Sequence, residues 1–572
     1  MKIRPFQEIL KRFYFNKRYK FYLLFIFSVI AGLFEYMGLI LIFQFVLFLS
    51  NPNTIYSKKI IQFFENNLNI IEIPKITLFL GISIACIYIL KNIYMFIFTK
   101  FNHNVLEDLS IDMTTKTVKN LLYQDYVTIN SIKSEDKLNT IQKITIIVWQ
   151  YCLKYIHLTM NCIIVGILVL YLFIKFTIPA IIAMIFISIL SLIEYKYLKL
   201  CSDYQNKYFS KTFDSINSSL LKIINSTKEI KLNNKEEYFI EDIKNNCHKF
   251  ANLNKDRCYN NVFHIYFTEI SIMLAFIVVL FALFLTTNFD NQLLITSIST
   301  ICVIILRLTP SINRAQSCLY LINSNEKTAL EIIEFDKQFD ENITIDNTEN
   351  SLKFSEKIEL KNIYFKYPNQ TKGLNNINIE IKKGDFIGIV GKSGCYKTTL
   401  SLIIAGLIKP QQGNIFIDGN ILKKENFKKW QNNISLLSQD FSILEEIKTD
   451  IDQSILEKLS LNSSLIDKNL SQGQKQRLAL ANILEKNKPI LILDEATSAI
   501  DVLSEEKINQ LLNELKGKKT IISIAHRFQI LKHCTKIIYM QDGEIIDIDT
   551  FKNLNDKYDD FKTMIELSNF NI

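Results

Sequence analysis

Eight prolines and fifteen glycines are few breakers for a chain of 572 residues. That scarcity excludes a chain punctuated throughout by tight turns and leaves room for long uninterrupted helices. Ten cysteines are scattered with no C-x-x-C pair, which excludes a zinc site or a disulfide frame and leaves reduced thiols. No internal repeat is present, and no nucleic-acid motif accompanies the net charge of +9, so no nucleic-acid partner is expected. What the chain has instead is apolar mass: 49% of its residues are hydrophobic, and its mean hydropathy of +0.14 is above zero.

That mass is concentrated in six tracts, near 21–49, 76–99, 156–174, 178–199, 264–286 and 291–311. Each is long enough as a helix to span about 30 Å of hydrocarbon. The first 20 residues carry Lys2, Arg4, Lys11, Arg12, Lys17, Arg18 and Lys20 against the single acid Glu8, which predicts a cytoplasmic N-terminus. An even number of spans then returns the C-terminus to the cytoplasm. The first tract is too long for a cleaved signal peptide, and no small-residue cleavage site follows it. Polar segments with helical periodicity separate tracts two and three, and again four and five. A pair of 30-residue helices there would reach about 45 Å from the membrane. Charges inside the tracts, Glu35, Lys91, Glu269 and Arg307, are costly in hydrocarbon. Lys91 and Arg307, partly balanced by Glu35, are candidates to line a cavity for an anionic substrate, with snorkelling to the headgroups as the alternative. Net positive charge also suits an anionic lipid surface, so the bilayer is an expected partner. The acidic stretch from Phe339 to Ser351 reads as a joint between domains.

Beyond it the pattern changes to short apolar strands with loops between them. Ile387–Val390 precedes GKSGCYKTT, Gly391 to Thr399, and then the helix-like LSLIIAGLI. Strand, loop and helix in that order form the context of a phosphate-binding loop. Gly391, Lys392, Ser393, Gly394, Cys395, Tyr396, Lys397, Thr398 and Thr399 are therefore candidate nucleotide-binding residues. Backbone N–H groups would cradle the β- and γ-phosphates, Lys397 would add a point charge, and the Thr398 hydroxyl would hold Mg²⁺. Tyr396 breaks the rule, because the motif places glycine before the lysine. A second apolar run, Ile490 to Asp494, ends in two adjacent acids. Asp494 suits Mg²⁺, and Glu495 could accept a proton from an attacking water.

These motifs together resemble an ATP-binding cassette (ABC) transporter, specifically an exporter half. The resemblance implies a membrane α-helical bundle of six transmembrane helices, type I ABC exporter-like, plus an α/β P-loop ATPase domain. It divides the chain into 1–325, a linker at 326–355, and a nucleotide-binding domain at 356–572. By the same resemblance Tyr367 in FKYP stacks on adenine, Gln439 in LLSQD is the switch-loop glutamine and a further Mg²⁺ contact, and LSQGQ, Leu470 to Gln474, is the signature. Ser471, Gly473 and Gln474 would meet the nucleotide held by a partner's loop, Asp501 would belong to the loop after Glu495, and His526 in IAHR would be the switch histidine. The turns around Asp125–Asn130 and Phe213–Asn217 would be coupling elements. ATP and Mg²⁺ are the implied cofactors. A second half-transporter, identical or different, is the implied partner, since ATP in this family lies between two head-to-tail cassettes. Asn482 stands where a basic residue is usual, and the short interval between Gln439 and Leu470 implies a reduced helical subdomain.

LRLTPSINR, Leu306 to Arg314, and STKEIKLNNKEEYF, Ser226 to Phe239, resemble segments of bacterial flippases for lipid-linked oligosaccharides. That implies ATP-driven export or flipping of a lipid-linked or other lipid substrate across the bacterial inner membrane. Peptide or toxin export is the alternative, as is a half-transporter with a degenerate site that needs a competent partner.

Overall fold

The computed structural model describes residues 4–50, 61–66, 72–175, 177–286, 291–339, 351–368, 370–438, 451–461, 471–494, 501–525 and 528–569, though not every side chain within the helices. The chain divides into two compact units, one of Met1–Gln124 with Ile132–Glu341, the other of Asp125–Ser131 with Asn342–Ile572.

The first unit is helical. A short α1 (Arg4–Phe13) precedes α2 (Tyr19–Ser50) and α3 (Ile73–Tyr123). After α4 (Tyr126–Ser131), which belongs to the second unit, come α5 (Ser134–Ile147), α6 (Leu153–Lys175), α7 (Thr177–Asn225), α8 (Thr227–Leu232), α9 (Glu236–Thr286) and α10 (Asn291–Lys337). Each of the six apolar tracts falls inside one long helix: α2, α3, α6, α7, α9 and α10. Among the described residues four helices are long and apolar enough to cross a membrane, over Phe15–Ile42, Ile73–Tyr123, Ser134–Leu170 and Glu236–Phe281. Helix α10 continues to Lys337, through the first part of the segment expected as a linker.

The apolar core of this unit joins α1, α2, α3, α5, α6 and α10, with Ile9, Leu24, Leu109, Tyr151, Ile164 and Ile332 among its members. Helices α7 and α9 contribute none of its described residues, and polar contacts hold them to their neighbours. Lys143 on α5 reaches Ser210 at 2.8 Å, Asp214 at 3.0 Å and Glu331 at 3.2 Å. Helix α1 is tied down at the end of α10, where buried Asp336 accepts from Arg12 and Asn120, each at 2.8 Å.

Two expectations meet the coordinates here. The Phe213–Asn217 turn is absent, because those residues lie inside unbroken α7. No glycine or proline interrupts the helix there. The chain turns instead at 226–235, where Asn233 ends α8 and Asn234 takes a left-handed φ of 51°. Lys91 does not stand ready for an anion: its ammonium pairs with Glu35, and it faces the Tyr88 ring at 5.5 Å. The side chain of Arg307 lies outside the described residues.

The second unit holds two sheets. An antiparallel sheet has the order β2 (Leu374–Lys382), β1 (Lys357–Phe365), β4 (Gln412–Ile417), β5 (Asn420–Ile421). The other has β10 (Glu544–Asp549), β9 (Lys536–Gln541), β3 (Phe386–Gly391), β8 (Thr520–Ile524), β7 (Ile490–Asp494), β6 (Ile434–Leu437). The strands from β9 to β6 are parallel. β7 and β8 are buried at every position, as near-continuous apolar runs require. Helix α4 packs here: Tyr126 and Val127 lie on the core that contains Ile404 and Trp430, and Lys409 bonds Asp125 at 2.5 Å.

Candidate functional site

Parallel strands carry their carboxyl ends to one sheet edge, where ligands bind in open α/β sheets. Here β3, β8, β7 and β6 end together at Gly391, Ile524, Asp494 and Leu437.

The loop after β3 wraps the start of α11 (Lys397–Ile404). Gly391 has no room for a side chain, since a Cβ there would lie 2.1 Å from the Met540 carbonyl oxygen. Gly394 takes a left-handed φ of 83°. Lys397 folds back along the loop and donates to the carbonyls of Gly391 at 2.8 Å and Lys392 at 3.1 Å. Its ammonium is thereby held at the mouth of the loop. Cys395 is buried, and burial raises its thiol pKa, so it serves as a small packed residue.

Tyr396 caps α11 with φ 69° and ψ 27°, the left-handed conformation. The glycine rule thus has a concrete cause, because the loop needs a backbone that a Cβ disfavours. Its hydroxyl lies 3.3 Å from Gln370 Oε1. Its ring flanks the β9–β10 turn, where a Cβ on Gly543 would lie 3.5 Å from Tyr396 Cδ2. Tyr367, Gln370, Ser393, Gly394, Tyr396, Lys397, Thr398 and Thr399 line one cleft of about 500 Å³. Gln370 is the site residue that sequence reasoning missed. Its only signal is a position three residues after Tyr367.

Asp494 ends β7 in a buried position. A carboxylate and the Thr398 hydroxyl make a hard-oxygen donor set, and that chemistry fits Mg²⁺. Ser471 caps α14 (Gln472–Glu485) through a capping box: the Gln474 N–H donates to Ser471 Oγ at 3.3 Å, and the Ser471 N–H donates to Gln474 Oε1 at 2.9 Å. The N–H groups of the first turn, Gln472 and Gly473, point away from the helix body and suit an anion. Arg477 on the same helix donates to Leu459 O at 3.2 Å and to Ser504 Oγ at 3.2 Å. Asp501 caps α15 (Val502–Leu515), accepting from the Ser504 N–H at 2.9 Å; that bond lowers its pKa. Lys392 is exposed, and Thr399 is buried within α11. Gln439, Glu495, His526 and Leu470 lie outside the described residues. Between Gln439 and Leu470 the described residues hold one short helix, α13 (Gln453–Lys458), the segment before it in the chain, α12, being Phe427–Gln431.

Residues 374–498 match the family model described as ABC transporter. This unit is an ABC transporter cassette. The chain is 31% identical over 226 residues to an ATP-dependent lipid A-core flippase of Saccharophagus degradans, covering 35% of this chain and 39% of that protein. Over 236 residues it is 30% identical to the beta-(1-->2)glucan export ATP-binding/permease protein NdvA of Agrobacterium vitis, with 37% and 40% covered. Over 216 residues it is 36% identical to the leukotoxin translocation ATP-binding protein LktB of Mannheimia glucosida, with 33% and 30% covered. The chain thus spans well under half the length of the curated relatives it matches. Its fold extends further: a bacterial Atm1-family ABC exporter solved with ATP bound superposes with a TM-score of 0.75 at 15% identity, covering 94% of this chain and 97% of that one. The chain therefore has the ABC exporter fold, a helical membrane domain followed by an α/β cassette.

Proposed function

We propose that this ABC transporter chain is an exporter half that binds ATP with Mg²⁺, works as a dimer in the bacterial inner membrane with both termini cytoplasmic, and moves a lipid-linked oligosaccharide or other lipid. The observation that carries the reading is the cleft formed by the loop after β3, with Lys397 held at its mouth and Tyr367 on its wall. Loop N–H groups and Lys397 bind the phosphates, and Tyr367 packs on the base. Thr398 and Asp494, with Gln439, hold Mg²⁺, which supplies charge neutralisation on the phosphates. Glu495 accepts a proton from the attacking water, and His526 orients the γ-phosphate end. Ser471, Gly473 and Gln474 of one copy close on nucleotide held by the other, and Asp501 lies in the same closing surface. The short helix α4, seated on the cassette through Lys409, makes Asp125–Ser131 the coupling element.

The cargo assignment rests on the flippase-like segments 226–239 and 306–314. The relatives' printed names span a glucan, a lipid A-core and a toxin, which keeps peptide or toxin export as the alternative. The test is ATP hydrolysis by the full chain in liposomes, beside Glu495→Gln, followed by transport of a labelled polyprenyl-diphosphate glycan and of a labelled peptide. Hydrolysis that survives Glu495→Gln unchanged would remove the catalytic assignment. Peptide transport without glycan transport would reverse the cargo. A second reading, a degenerate site completed by a different partner, is favoured by the left-handed Tyr396. It requires that the chain alone hydrolyse ATP poorly.

A further inference from the structure

The register of α7 against α9 is set by three side-chain contacts: Ser219 Oγ to Asp242 at 2.8 Å, Gln205 Nε2 to the Leu253 carbonyl at 3.2 Å, and Tyr197 OH to Asn260 at 3.3 Å. The helices run antiparallel. On α9 the residues facing α7 recur at helical spacing, from Asp242 through Asn246, Leu253 and Arg257 to Asn260, and His264 is next on that face. On α7 the same stripe runs from Gln205 through Leu198 to Glu194. Stepping on from the Tyr197–Asn260 pair brings Glu194 and His264 to one level. Helix α10 reaches that level too, because Gln316 Nε2 donates to Glu194 Oε2 at 2.8 Å and Ser317 Oγ donates to Asn261 at 2.8 Å.

Glu194 is 3% exposed and His264 is 0% exposed. Among the described residues Glu194 Oε1, both ring nitrogens of His264 and Gln316 Oε1 have no hydrogen-bond partner. Buried polar atoms are almost always paired, so unpaired atoms from three helices at one level call for a ligand. Both acid and imidazole lie inside tracts predicted to span the membrane, where an ionisable side chain is functional by default.

We propose that Glu194 and His264 bind a single proton between them, taken from bulk water and returned to it, and that this proton links the conformational state of the helical unit to pH. A proton on Glu194 Oε1 donates to the acceptor nitrogen of a neutral imidazole, which pairs two orphan atoms at once. The groups around the couple do not supply that partner. Arg257, two turns along α9, is engaged by Ser324 at 3.4 Å and by the Phe209 ring at 5.2 Å. Glu269 on α9 and Arg314 on α10 are exposed, Tyr197 is bonded to Asn260, and Lys154 and His157 lie near the start of α6. A site this enclosed admits a proton and excludes a bulky cargo.

The test uses the full chain in nanodiscs, with Tm and ATP turnover recorded from about pH 5.5 to about pH 8.5 for wild type, Glu194→Gln, His264→Gln and the double variant. The gap in Tm between wild type and Glu194→Gln changes with pH, His264→Gln removes the same pH-dependent part, and the double variant adds nothing further. Wild-type turnover varies several-fold over that range, and Glu194→Gln flattens the profile. A Tm gap that stays constant with pH, or two variants that add independently, overturns the shared proton. Infrared spectra of the wild type give a reading that needs no variant: a buried protonated carboxyl band appears and disappears across the range, and its absence throughout overturns the proposal. Because the Tm and infrared readings involve no cargo, their failure leaves the export reading intact.

Discussion

Replacing Tyr396 by alanine and by glycine separates two effects that the wild-type residue combines. Tyr396 holds φ 69° at the cap of α11, and its ring packs beside Gly543 with its hydroxyl 3.3 Å from Gln370. Both substitutions lose the half-buried ring, worth roughly 1 kcal/mol of burial. The hydroxyl contact is exposed and adds at most a few tenths of a kcal/mol. Alanine keeps a Cβ and so keeps the left-handed penalty of about 1–2 kcal/mol. Glycine removes that penalty but loses roughly 0.5–1 kcal/mol to the freedom of its unfolded chain. The balance leaves Tyr396→Gly more stable than Tyr396→Ala by roughly 0.5–1 kcal/mol, about 1–4 °C in the melting of a unit this size. Thermal unfolding of the full chain in detergent, followed on the cassette transition with and without ATP, measures the difference. Alanine melting at or above glycine would refute a left-handed backbone at this position. On the degenerate-site reading, ATP also binds Tyr396→Gly more tightly than wild type, and unchanged affinity would argue against that reading.

Further outcomes follow from other contacts. Ser471→Ala removes one half of the capping box and lowers cassette stability by about 1 kcal/mol; it also cuts ATP turnover, whereas a loss of stability with turnover intact would make Ser471 only a cap. Lys91→Met leaves Glu35 unpaired in a largely buried place and costs about 3–5 kcal/mol, seen as lost expression or a lowered Tm, while Lys91→Met with Glu35→Gln recovers most of it. Lys409→Ala breaks a partly exposed contact with Asp125 and changes Tm by less than about 1 kcal/mol; transport per ATP falls, and an unchanged ratio would remove α4 from the coupling path. Burial raises the Asp418 pKa, but N–H bonds from Lys357 at 2.9 Å, Glu356 at 2.8 Å and Ser355 at 2.7 Å outweigh it and hold the carboxyl below its ordinary range. A depressed carboxylate stabilises above its unfolded pKa, and that contribution is lost as pH falls below about 4 toward the folded value. Asp418→Asn therefore narrows its stability deficit in acid melts relative to neutral ones.

Much of the site was legible because it is local. A strand, a loop and a helix start occupy consecutive residues at Ile387–Ile404, and Ser471 with Gln474 forms a cap within one turn, so backbone rules apply directly. The second coupling turn was misplaced at Phe213–Asn217 because polar helical periodicity gives no marker of where a hairpin reverses. The true reversal rests on Asn234 in a left-handed conformation, which asparagine tolerates but does not announce. Glu194 escaped notice for a related reason. One carboxylate in an apolar run says little until a glutamine 122 residues away is seen to bond it.

The sequence by itself determined the six apolar helices, the parallel strands with their acid-tipped end, and the phosphate loop with its one misplaced side chain. Each depends on hydrophobic period or on residues adjacent in the chain. Tertiary structure alone decided that Lys91 is spent on Glu35, that α4 joins the cassette through Lys409, and that Glu194 meets the level of His264. Those pairings are made by side chains far apart in the chain, whose partners are chosen by packing rather than by local propensity.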